Sequence, residues 1–117
     1  DRYDVNLNDG HRELIKVEPF NLFNLLATGT MFRTDMVRAL GGYRPLFWEE
    51  YDLYMRYLLH SDRSPVRVPI PLYLYSLHDS SMTADTASVL AGWKELREVW
   101  GEEGLRRFGA PGIMEEV

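Results

Sequence analysis

The stretch Phe47-Trp48-Glu49-Glu50-Tyr51-Asp52-Leu53-Tyr54-Met55-Arg56-Tyr57-Leu58-Leu59-His60 decides how the chain is read. Its spacing predicts a helix from Glu49 to about His60, ended by Ser61-Asp62-Arg63-Ser64-Pro65. Projected at roughly 100° per residue, Glu49, Asp52, Arg56 and His60 gather on one polar arc. Leu53, Tyr57, Tyr54, Leu58 and Tyr51 spread over the opposite arc. On that projection Glu49 and Asp52 are solvated, and Asp52 with Arg56 forms an i,i+4 pair worth roughly a few tenths of a kcal/mol. Glu50 falls in the middle of the apolar arc, between Tyr57 and Tyr54. A carboxylate pointing inward must be paired, hydrogen-bonded or used. In the first turn the helix N-terminus favours its anion while partial burial disfavours it, a balance that suits a general base. The plainer reading is a helix-start carboxylate reaching back to a backbone N–H.

Outward from this helix, Thr34 is placed to cap a short helix through Met36-Val37-Arg38-Ala39-Leu40, with Asp35 in its first turn and Gly41 as its stop. Gly42-Tyr43-Arg44-Pro45 is a loop. Upstream, residues 1–20 read as an irregular lead-in with a turn at Asn6, Asn8, Asp9 and Gly10. A short helix or turn is expected near Asn21–Leu26 and a buried strand over about Ala27–Arg33. Downstream, Val66-Arg67-Val68 and Leu72-Tyr73-Leu74-Tyr75-Ser76-Leu77 read as strands, with Pro69 and Pro71 only at the entrance of the second. His78 then continues the face of Ser76, Leu74 and Leu72 as a half-buried, hydrogen-bonded histidine. Thr83 or Asp85 caps a last helix running to Trp100, with Val89, Trp93, Leu96 and Trp100 on one stripe. Gly101 and Gly104 interrupt it, and one more turn follows over Leu105–Phe108. His60, Glu102 and Glu103 are expected at the surface, and Trp93 and Trp100 in the core or an interface.

The chain has 117 residues, 45% apolar and 26% charged, the composition of one globular domain. No apolar run approaches the ~18 residues of a spanning helix. Thirteen basic residues against 18 acidic give a net charge of −5, which argues against a nucleic-acid partner. The absence of cysteine excludes disulfides, thiol nucleophiles and Cys-ligated metals. The chain opens at Asp1 without Met or a basic-then-apolar leader, so no targeting segment is expected and a piece of a longer protein is. Aromatics at 13%, seven of them Tyr, suit half-buried strands or sugar ligands equally.

Four segments in order carry a resemblance: Gly41-Gly42-Tyr43; Phe47 through Arg56; Val68-Pro69-Ile70-Pro71-Leu72-Tyr73-Leu74-Tyr75-Ser76-Leu77-His78; and Ser81-Met82-Thr83. Together, over about residues 25–85, they resemble the C-terminal half of family 2 glycosyltransferases, which write them GGYD, EDYDLWLR, a strand ending YRxH, and SMT. The resemblance implies an α/β fold: the C-terminal part of a GT-A-like nucleotide-sugar-binding sandwich, few strands with three or four helices, incomplete on its own. It implies a single partial domain over 1–117, with 86–109 as the C-terminal helix region.

It further implies inverting sugar transfer from a nucleotide-sugar to an acceptor hydroxyl, in a cytoplasmic setting. Glu50 would be the base, and Gly41, Gly42, Glu49, Thr28 and Gly29 would line the substrate. His78 would lie near the donor diphosphate or its metal. Three departures stand out. Glu50 replaces the usual Asp, Ser76 replaces the usual Arg, and no Asp-x-Asp occurs for the expected Mg²⁺ or Mn²⁺. Glu50-Tyr51-Asp52 has that spacing, but two residues apart on a helix diverge. The isolated chain is therefore expected to be inactive. The alternative is a non-catalytic dimerising or protein-interaction module, since half a sandwich leaves a sheet edge and an apolar face open to a homo-oligomer. A free-standing carbohydrate-binding module rests on the aromatics alone.

Overall fold

Asn6-Leu7-Asn8-Asp9-Gly10 turns the chain back on itself, and two strands grow from it in the computed structural model, which describes residues 1–18, 29–62, 64–81 and 85–108. The Asn6 side chain accepts from the Asn8 N–H at 2.8 Å, and the Asp9 side chain from the His11 N–H at 2.8 Å. These Asx contacts hold the turn while β1 (Arg2–Asn6) pairs antiparallel with β2 (Arg12–Ile15), Arg2 opposite Ile15 and Val5 opposite Arg12. The lead-in is thus a hairpin, not irregular. Its apolar alternation is only Tyr3 and Val5, because Arg2 and Asp4 occupy the other face and pair with each other at 2.7 Å.

Three helices and one further strand follow: α1 (Thr34–Ala39), α2 (Glu49–His60), β3 (Tyr73–Leu77) and α3 (Thr86–Arg106). β3 lies parallel to β1, Arg2 against Tyr73 through Asn6 against Leu77, so the sheet order is β2-β1-β3. The fold is mixed α/β.

Several expectations need correcting. Thr34 begins α1 but does not cap it; the cap position is Arg33, without a side-chain bond. Gly29–Arg33 form no strand, and Asn21–Leu26, Ala27 and Thr28 lie outside the described residues. Val66-Arg67-Val68 is not a strand either. Pro65, Pro69 and Pro71 remove the donors a ladder needs, and Val66 is 89% exposed. The last helix is capped by Asp85, whose carboxylate accepts from the Ala87 N–H at 3.2 Å. Thr83 lies outside the described residues. Gly101 takes φ 72° and kinks α3, as its position in the stripe suggested, and the helix resumes to Arg106.

The core lies between α2 and α3. Tyr54 and Met55 meet Trp93, Leu96, Leu105 and Phe108, with Val89 and Trp100 partly buried on the same α3 stripe. The loop before α2 docks onto α3 at Gly92, where an added Cβ would stand 2.5 Å from Cδ1 of Phe47. The Phe47 N–H also donates to Glu95 at 3.1 Å. Gly92→Ala is therefore expected to lower unfolding free energy by about 1–3 kcal/mol, the usual cost of overpacking. Urea denaturation checks it; an unchanged midpoint would mean that Phe47 moves aside freely.

Candidate functional site

The first two turns of α2 bring three carboxylates to one end of the helix, in three different environments. Glu49 is exposed, Glu50 is half-buried, and Asp52 is fully buried. The projection is right for Glu49 and wrong for Asp52. Hydrophobicity alone put Asp52 in water, but its arc faces α3 and the loop after α1, and both supply donors.

Asp52 is held from three sides. Arg44 forks onto it through Nε at 2.9 Å to Oδ2 and through Nη2 to Oδ1. Arg56 Nε donates to Oδ2 at 3.0 Å, which is the expected i,i+4 pair. Trp100 Nε1 donates to Oδ1 at 2.9 Å. Burial alone would push the Asp52 carboxyl up. The hydrogen bonds from Arg44 and Trp100, with the charges of Arg44 and Arg56, outweigh it and hold the group below the usual carboxylate range. Such a carboxylate stays ionised and has its lone pairs engaged. It organises structure and does not take up protons near neutrality.

Arg56 extends this node to α1. Its Nη1 donates to the Leu40 carbonyl at 2.7 Å and its Nη2 to the Gly42 carbonyl. Gly41 and Gly42 have φ of 84° and 69°, and the N–H groups of both turn back to α1 carbonyls at Arg38 and Val37. The glycine pair thus serves a left-handed turn that presents a carbonyl to Arg56. Nothing lies within 4 Å of a Cβ added at either residue, so backbone conformation and not crowding asks for glycine.

Glu50 stands apart from this node. No described residue forms a hydrogen bond or ion pair with its carboxylate, and it sits in the helix's first turn. Its neighbour Tyr51 forms a three-ring cluster with Trp48, at 5.1 Å, and Trp93, at 5.7 Å, which are themselves 5.1 Å apart. Burial pushes the Tyr51 hydroxyl up, Arg2 offsets this, and Glu50 and Tyr75 add to it. On the sheet, the Arg2 guanidinium lies 4.8 Å from the centre of the Tyr75 ring. Trp48 Nε1 is buried with no acceptor among the described residues.

The other expected site residues lie on other elements. Gly29 is an exposed turn residue, and Thr28 lies outside the described residues. His78 is exposed rather than half-buried, because β3 ends at Leu77 and the chain turns at once. The His78 carbonyl accepts from the Ser81 N–H and hydroxyl. No hydrogen bond or ion pair among the described residues joins Glu50 to Gly29, Gly41, Gly42 or His78. A concavity of about 320 Å³ is lined by Leu59, Trp100, Glu103, Gly104, Arg107 and Phe108. It lies toward the far end of α2, where Leu59 is about 14 Å along the axis from Glu50. Among the described residues no group of three or more His, Asp or Glu could hold a metal ion, and no helix is long and apolar enough to cross a membrane. No protein-family model matches the chain, and neither a curated protein nor a solved structure does.

Proposed function

We propose that the chain is the acceptor-side part of an inverting glycosyltransferase of GT-A-like fold, with Glu50 as its base, working in the cytoplasm. The observation that carries the reading is the ordered register of four segments, from Gly41-Gly42-Tyr43 to Ser81-Met82-Thr83. The contrast between the two inner acids supports the choice of base. Asp52 is locked by three donors, whereas Glu50 is half-buried beside a helix N-terminus without a described partner. Glu50 takes the proton of the acceptor hydroxyl as that oxygen bonds to the sugar's anomeric carbon. The bond from that carbon to the diphosphate breaks on the opposite side, and the nucleoside diphosphate leaves. The described residues, with no group of three or more His, Asp or Glu that could hold an ion, do not suit the Mg²⁺ or Mn²⁺ that the resemblance implies for the longer protein.

The test is the product of the longer protein that contains this chain. Transfer with inverted anomeric configuration, read by proton NMR, is expected; retention, or no transfer from a panel of nucleotide-sugars, would overturn the reading. The 117-residue chain alone, without an Asp-x-Asp, is expected to show no saturable heat in titrations with UDP-, GDP- and dTDP-sugars plus Mn²⁺. A micromolar dissociation constant would place a donor site within this chain.

A further inference from the structure

The two edges of the described sheet are treated differently. β2, at one edge, carries Arg12 and Glu13, both exposed, which discourages further pairing. β3, at the other, reads Tyr73-Leu74-Tyr75-Ser76-Leu77, without a charge or an internal proline. Leu72 is 76% exposed and Leu74 52%. With Val66, Val68 and Ile70, each also more than half exposed, they leave on the order of 500 Å² of aliphatic surface in water. That is a large share of the ~800 Å² which each partner buries in a standard interface.

The backbone says what fits this edge. The Leu77 carbonyl accepts from the Leu7 N–H at 3.1 Å, so Leu77, and with it Tyr75 and Tyr73, turn their main-chain groups toward β1. Leu74 and Ser76 turn theirs outward. A second copy brought antiparallel about Tyr75 sets Leu74 opposite Ser76 of the other chain, twice. Each such pair exchanges two N–H···O bonds, four in all. Tyr75 meets Tyr75 as the close, non-hydrogen-bonded pair, and Tyr73 meets Leu77, aromatic against aliphatic on one face. No charge is opposed by a like charge within the paired strands.

The geometry points to a two-fold homodimer joined through β3, giving one six-stranded sheet ordered β2-β1-β3-β3-β1-β2. The exposed charges on β2 end that sheet at both sides, and Pro71 stops pairing beyond Tyr73, so the assembly closes as a dimer and does not grow into filaments.

Sedimentation velocity of the full 117-residue chain from about 5 to 500 µM is the test, the range for an interface this small. A reversible species of twice the 13.7 kDa chain mass is expected, with nothing larger. Leu74→Lys and Ser76→Pro should each raise the dissociation constant tenfold or more while circular dichroism keeps the monomer's helical signal. Leu14→Lys, on the β2 edge, should leave it unchanged. A monomer at the top concentration, a dimer untouched by both folded β3 variants, or one dissolved equally by Leu14→Lys would overturn the proposal. If one β3 variant fails to fold, the other decides.

Discussion

Asp52→Ala is expected to remove roughly 3–5 kcal/mol of unfolding free energy, the cost of taking one partner from a buried ion pair. Against the ~5–15 kcal/mol that holds a typical domain together, a loss of that size removes a large fraction of the stability. The size follows from what stays behind. Arg56, with its side chain 11% exposed, would keep its bonds to the Leu40 and Gly42 carbonyls but lose its counter-charge, and Trp100 Nε1 would lose its acceptor. Arg44→Ala should cost much less, since that side chain is 44% exposed and water can replace it. Asp52→Asn keeps one acceptor oxygen and should fall between the two.

The same node sets an acid limit. Asp52 has a folded-state pKa below its unfolded value, so its contribution is fully present above the unfolded value of about 3.9 and is lost as pH falls through the folded one. Guanidinium unfolding from pH 7 down to pH 2 should show that loss in the wild type and a flatter acid limb in Asp52→Asn. A cost of Asp52→Ala within 1 kcal/mol would show the three donors equally content with water, by the lower bound for orphaned buried groups, ~1 kcal/mol.

Glu50→Gln in the longer protein is expected to lower sugar transfer by roughly 10²–10⁴, the usual contribution of a general base. Glutamine keeps the size and the hydrogen bonding but cannot accept the proton. Donor affinity should barely change, because the base meets the acceptor and not the nucleotide. Glu49→Gln, one residue away and exposed, is the matched control and should cost much less. Glu50→Asp restores the residue usual in the resembled family and should retain more of the rate than Gln, less what a shift of about one bond length costs in alignment. The acceptor-saturated rates of the Gln variants, measured side by side, decide. Collapse of Glu49→Gln instead would move the base by one residue.

The helices were legible because each carries its own local signals. The 3.6-residue periodicity of α2 gives its range as Glu49–His60, Asp85 caps α3, and Gly41 stops α1. The sheet was half legible. β3 is rich in Tyr and Leu, but β1 hides behind Arg2 and Asp4, which are half-buried because they pair with each other and because Arg2 lies on Tyr75. That compensation comes from a strand some seventy residues away and leaves no local trace.

Asp52 escaped for a related reason. A helical projection weighs polarity and not partners, and two of its three partners, Arg44 and Trp100, come from other elements. The half of the clue inside α2, Arg56 at i,i+4, was visible but looked like an ordinary surface pair. An indole N–H on the otherwise apolar stripe at Trp100 was the other hint, since a buried Trp needs an acceptor.

The parallel pairing of β1 with β3 also has a consequence during synthesis. β1, the central strand, leaves the ribosome before its parallel partner exists. At roughly 5–20 residues per second it waits several seconds for Tyr73–Leu77 to follow. Until then it has only β2, and a lone two-stranded hairpin is marginal in water. The α2 core residues Tyr54 and Met55 are themselves still waiting for Trp93 and Leu96. Neither layer can form in the order in which it is made. These elements stay open to chaperones and proteases until α3 emerges, and a ribosome stalled anywhere before about Leu96 would present α2 without the α3 side chains that complete its core.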